Sequence, residues 1–90
     1  MSEKITKKYV QKELKKCNSI DDCKGLLKSI NTQIDENKKV IARNARLANE
    51  LKDEPQFLND LDEITQVKEN WNASLSMQKD KVFEKMDKLL

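Results

Sequence analysis

Cys17 and Cys23, with five residues between them in KKCNSIDDCKG, are the two thiols of the chain. Thiols are the natural first place to look for nucleophilic or metal chemistry. The chain has no histidine, so the commonest general base and metal ligand is missing. Two cysteines alone do not complete the four-ligand shell of a zinc site, and neither lies in a nucleophile-type motif. We therefore expect no catalytic residue, no metal and no cofactor. Reduced thiols, with Cys23 on the core face of a helix, are the favoured reading; a local disulfide closing a bend between two helices is its rival. One glycine is too few for a phosphate-cradling loop. The carboxylate pairs Asp21–Asp22, Asp35–Glu36 and Asp62–Glu63 are sequence neighbours, so on a helix they diverge and read as solvated surface. The sequon Asn72-Ala73-Ser74 matters only in a secreted protein.

Positive charge is the other chemistry to weigh. In NKKVIARNAR, residues Lys38, Lys39, Arg43 and Arg46 line the outer side of a predicted helix, and phosphate contacts need such charge. Against a nucleic-acid role, the formal net charge is only +2, acidic residues flank the patch, and the single tryptophan falls in a predicted helix seam. A solvated face is the stronger reading.

These side chains need a scaffold, and composition points to one kind. The chain is 90 residues long, 37% hydrophobic and 38% charged, with one glycine and one proline. Turn chemistry is scarce and a thin core is all that this length supports, so the expected class is all-α, a single helical domain over 1–90. No apolar run reaches the roughly 18–20 residues that span a bilayer, and the amino terminus lacks the apolar core of a secretory signal. The expected location is cytoplasmic, with no membrane partner.

Residues 1–18 form a basic amphipathic segment, with six lysines against two glutamates and a helix expected over about 3–17. Ser2 is its candidate cap, Ile5, Tyr9, Val10, Leu14 and Cys17 recur at helical spacing, and mobility of this segment stays open. Ser19 and Asp22 then resemble a capping box opening a second helix. From there Cys23, Leu27, Ile30, Ile34, Asn37, Ile41, Asn44, Ala48 and Leu51 alternate steps of four and three, a heptad seam. A second seam follows the proline: Phe57, Leu61, Ile64, Lys68, Trp71, Leu75, Gln78, Val82 and then Met86 or Leu89. Pro55 suits the first turn of a helix and disfavours helix just before it. KDEP therefore reads as a tight reversal, with Asp53 or Glu54 as cap, joining helices over about 20–53 and 55–89 into an antiparallel hairpin. Pairing about residue 54 sets Leu51 against Phe57 or Leu58, Asn37 near Trp71, Ile34 near Leu75 and Leu27 near Val82.

Asn37, Asn44, Lys68 and Gln78 interrupt the apolar stripes. Either they fix register or oligomer state, or they line a shallow wet seam in which Lys68 reaches solvent. Asn37→Leu with Asn44→Leu is expected to raise the melting temperature, with a change of oligomeric state left open; a lower melting temperature at unchanged mass would mean that both asparagines have specific partners. Apolar residues beside the seam need further cover: Leu26, Val40 and Leu47 on one helix, and Leu58, Val67, Phe83, Met86 and Leu90 on the other. Phe83, Met86, Leu89 and Leu90 are expected to cluster at the open end against Tyr9, Val10 and Leu14, completing a three-helix unit. A homodimer forming a four-helix bundle is the alternative cover. The carboxyl half, with PQFL after Pro55, an aromatic at Trp71 and an apolar terminal helix, is loosely similar to the hairpin subunits of type III secretion needles. The lysine-rich amino half and the two cysteines depart from that pattern, and no membership is inferred.

The functional expectation is a non-enzymatic protein–protein interaction module: an adaptor, assembly chaperone or inhibitor. Its abundant lysine and asparagine suggest an AT-rich coding sequence, as in phages and mobile elements, and hence a host protein as partner. Candidate contact residues are Lys39, Arg43, Arg46, Phe83 and Leu90. A nucleic-acid-associated protein and a self-assembling structural subunit are the alternatives.

Overall fold

A computed structural model describes residues 4–90. Three helices run through them, α1 (Lys7–Lys16), α2 (Ile20–Glu50) and α3 (Pro55–Leu89), with no strand among the described residues. As the seams require, α2 and α3 form an antiparallel hairpin, and the molecule measures 55 × 26 × 17 Å. Among the described residues no helix is long and apolar enough to cross a membrane.

Local chemistry explains each helix end. The expected cap Ser2 lies outside the described residues; α1 instead begins after Thr6, whose hydroxyl accepts the Tyr9 N–H at 3.2 Å. At α2 the cap Ser19 accepts the Asp22 N–H on Oγ at 3.2 Å, and Asp22 Oδ2 reaches back one residue past the cap to accept the Asn18 N–H at 3.0 Å. Two donors that no helix carbonyl reaches are thereby satisfied. The second helix stops at Glu50, three residues short of its expected end, and Leu51–Asp53 make the turn. Pro55 opens α3 in its first turn; Glu54 precedes it as cap residue but makes no side-chain cap bond.

The seam is centred half a residue later than the sequence suggests. Asn37 pairs with Asn72, and Asn44 with Thr65; both pairs lie equally far from the Glu54–Pro55 bond. The expected pairs Ile34–Leu75 and Leu27–Val82 already share this centre, whereas Asn37 was expected beside Trp71. Leu58 and Thr65 take partly buried seam positions, while Phe57 and Ile64, expected there, turn outward and are exposed.

The core sits toward the open end of the hairpin. Val10, Cys17, Cys23, Leu26, Ile30, Ile34, Leu75 and Val82 are buried together, with Ile5, Tyr9, Leu14, Leu27, Trp71 and Met86 packed against them. Thus α1 folds back as the third member. Each fully buried Ile, Leu or Val contributes about 1.5–3 kcal/mol, so this cluster is the main source of stability. One expectation at this end needs correction: Met86 joins the core, but Phe83, Leu89 and Leu90 remain exposed. Val82 and Met86 stand one turn apart on the inner face, and Phe83, one residue on from Val82, is rotated by about 100°.

Candidate functional site

Side-chain amides tie α1 to the hairpin. Ile5 donates its N–H to Gln33 Oε1 at 3.3 Å, and Gln33 Nε2 donates to Asn37 Oδ1 at 3.1 Å. Asn37 Nδ2 in turn donates to Asn72 Oδ1 at 2.8 Å, and Asn72 Nδ2 to the Ile34 carbonyl at 3.3 Å. Trp71 Nε1 closes the arrangement by donating to the Ile5 carbonyl at 2.7 Å. The peptide groups on both sides of Ile5 are therefore held by different helices, and α1 starts at a fixed level on the hairpin. Buried amides of this kind are stabilising when every member has a partner, and among the described residues no buried side-chain N or O lacks one.

Sequence reading found Asn37 and Asn44 but missed Gln33, Thr65 and Asn72. Their signal was present: Asn72 and Thr65 mirror the two asparagines about the turn once its centre is placed between Glu54 and Pro55. Gln78 is buried like Asn37 and Asn44. Lys68 is half-buried, with its ammonium 4.8 Å from the centroid of the Trp71 ring, a cation–π contact rather than a buried charge.

The thiols flank the bend between α1 and α2, Cys17 at the end of α1 and Cys23 in the first turn of α2, both free and buried. Cys17 Sγ donates to the Glu13 carbonyl at 3.4 Å. Burial pushes the Cys17 thiol above its ordinary 9.0, and the neighbouring Cys23 and Asp22 add to the rise, with Lys85 opposing. A buried, hard-to-ionise thiol is a structural one. No group of three His, Cys, Asp or Glu side chains gathers as a metal site among the described residues.

Of the candidate contact residues, Lys39, Arg43 and Arg46 are exposed on α2, but Arg43 is committed locally: its Nε and Nη2 donate to Asn44 Oδ1 at 3.3 and 3.1 Å. Asn44 Nδ2 passes on to Thr65 Oγ1 at 3.1 Å. Phe83 is 52% and Leu90 93% exposed, at the opposite end of the rod. The structure therefore does not bring the two groups into one site.

The feature that stands out is a change of burial along the side of the hairpin on which α1 lies. Residues seven apart share a helix face, and Leu26, Gln33, Val40 and Leu47 form such a column on α2, as do Phe57, Ile64, Trp71 and Gln78 on α3. Beneath α1, Leu26 is 7%, Gln33 9% and Gln78 6% exposed. Beyond the start of α1, the same columns give Leu47 at 39%, Phe57 at 44% and Ile64 at 43%, with Val67 beside them at 62%. The bed of α1 continues as an uncovered apolar strip to the tip, edged by the exposed Arg43 and Glu50 on α2 and by the exposed Asp60 on α3. Comparison with protein-family models, curated proteins and solved structures finds no match for this chain.

Proposed function

We propose that this chain is a non-enzymatic helical interaction module that engages a protein through the side of the hairpin tip that α1 leaves bare. The carrying observation is the exposure of Leu47, Phe57, Ile64 and Val67 on a strip whose other half is buried by α1. Apolar side chains gathered on one face, with charged groups at the edge, have the anatomy of a binding surface. Rigidity favours the role, since the amide network fixes where α1 ends and the strip begins, so little ordering is needed on binding. An adaptor, assembly chaperone or inhibitor works this way, by presenting a preformed helix pair. Two free, buried thiols accord with a reducing compartment such as a cytoplasm. The nucleic-acid reading is weaker, because Arg43 is held by Asn44 and the single tryptophan, Trp71, by Ile5, so neither is free to serve a phosphate-and-base platform.

Affinity capture from the native host, run in parallel with the wild-type chain and a Leu47→Glu/Ile64→Glu variant of equal helix content, tests this. A protein retained by the first and lost by the second is the expected result. Identical sets of retained proteins eliminate the tip face as the binding surface.

A further inference from the structure

We infer that the occupant of the bare strip is a second copy of this chain, laid antiparallel so that the two hairpin tips overlap in a four-helix bundle. The inference rests on the tip-face reading and adds the partner's identity. Three observations point to it.

The first is self-complementary charge. The Asn44–Thr65 bond fixes the register, and at 1.5 Å per residue it places Leu47 and Ile64 within about 3 Å of the same level. A two-fold axis crossing the strip at that level sets α2 against α2 and α3 against α3, each pair antiparallel. Arg43 then lies opposite the second copy's Glu50, and Lys39 opposite its Glu54. Both pairs join opposite signs, and symmetry makes each occur twice. Leu47 and Ile64 meet their own counterparts on the axis, and Phe57 reaches toward the second copy's Trp71.

Continuity is the second observation. The strip prolongs the bed that α1 already fills, with the same two columns of residues, so a helix pair seated there extends a layer the fold has built. Four helices around one core is the natural completion of a hairpin whose flank is apolar.

The third is the stop that α1 provides. With Ile5 clamped at the level of Gln33 and Trp71, the strip is about 16 residues, or about 24 Å, long, and a second tip of the same length fills it without displacing α1. Parallel stacking, open end on open end, is excluded because both α1 helices occupy the same face and collide. The antiparallel dimer is therefore a rod of roughly 85 Å, against 55 Å for one molecule, by the same helical rise.

Sedimentation equilibrium and small-angle scattering of the purified full chain measure mass and length together, and a cysteine scan locates the axis. The expected result is a concentration-dependent dimer of the longer dimension. Leu47→Cys, lying on the axis, forms an intermolecular disulfide with its own copy under mild oxidation, whereas Phe83→Cys does not. Ile64→Lys weakens dimerisation by about a hundredfold or more, since each substitution enters the interface twice, with helix content unchanged. Arg43→Glu weakens it and Arg43→Glu/Glu50→Arg restores it. A chain that stays monomeric at millimolar concentration overturns the inference, as does a dimer indifferent to Ile64→Lys or cross-linked through Phe83→Cys and not Leu47→Cys. A monomer that still captures a host protein, lost in the Leu47→Glu/Ile64→Glu variant, overturns the second copy alone and leaves the tip face standing. A monomer whose capture is indifferent to that variant removes both.

Discussion

The two halves of the hairpin share one seam and the same pair of flanking columns, yet only one half has a buried apolar core. At the open half α1 makes a third layer, and Ile30, Leu75 and Val82 lose all contact with water. At the tip half two helices face each other alone: Ile41, Leu51, Leu58 and Leu61 are only partly covered, and the buried seam residue there is Asn44. Two cylinders in contact hide a narrow stripe, whatever residues line it; a third is needed to bury the residues beside the stripe. Burial along these helices is thus set by where α1 ends, and α1 ends where the peptides around Ile5 are tied.

The sharpest way to break the comparison is a cavity in each half. Ile30→Ala, under α1, is expected to cost about 2–5 kcal/mol. Leu61→Ala, in the half-covered tip, should cost about 1 kcal/mol, because surrounding water takes up much of the lost contact. Thermal or urea unfolding of the two variants gives the ratio, and equal losses would mean that the tip is as well packed as the open end.

Next in size is the amide network at the boundary. Asn37→Leu places an apolar side chain in a buried slot but strands Gln33 Nε2 and Asn72 Oδ1, at about 1–3 kcal/mol for unpaired buried groups. The melting temperature of Asn37→Leu with Asn44→Leu should therefore fall, by about 5 °C or more for a domain of this size. This reverses the rise expected from the sequence, because both asparagines have specific partners. Thr6→Val follows, at about 1 kcal/mol for a lost cap; faster amide exchange confined to α1, with the tip unchanged, is the signature that the halves are stabilised separately.

What the sequence revealed of this division follows from the physics of each signal. The hairpin was legible because Pro55 and two long heptad seams constrain the backbone locally, and the box at Ser19 and Asp22 because its partners are four residues apart or fewer. Phe57 and Ile64 were misplaced because they and the pair Leu58 and Thr65 stand at equally good three-and-four spacing around Leu61, and periodicity cannot tell which side of Leu61 faces α2. Gln33 and Asn72 were missed because amides look like ordinary solvated residues until a distant partner is known, Ile5 for Gln33 and Asn37 for Asn72. Phe83 and Leu90 were recognised as apolar at the open end, but composition cannot say that Val82 and Met86 already fill the inner face there. The tip strip itself was half legible: Leu47 and Val67 read as needing cover, whereas the end of the cover depends on Trp71 Nε1 finding the Ile5 carbonyl across the fold.

The smallest expected effect is a pH dependence that only the open half should show. Cys17 is surrounded by Cys23 and Asp22 of α2, Lys85 of α3 and the Glu13 carbonyl of its own helix. Burial, then Cys23 and Asp22, raise its thiol above 9.0 despite Lys85. Below that value the thiol is protonated whether the chain is folded or not, and its contribution to stability is fully present. As pH climbs past it, the unfolded chain ionises first and binds fewer protons than the folded one, so stability falls with rising pH until the folded thiol also ionises. By pH 9.0 the loss is at most about 0.4 kcal/mol, the free energy of half-ionising one group in the unfolded state alone. Cys17→Ala should flatten this alkaline slope even though it lowers stability at neutral pH through lost packing. Amide exchange measured between pH 7 and 10, corrected for its intrinsic pH dependence, should rise first in α1 and the start of α2. An equal rise around Asn44 and Thr65 would show that the tip depends on α1 after all, and that the two halves melt as one.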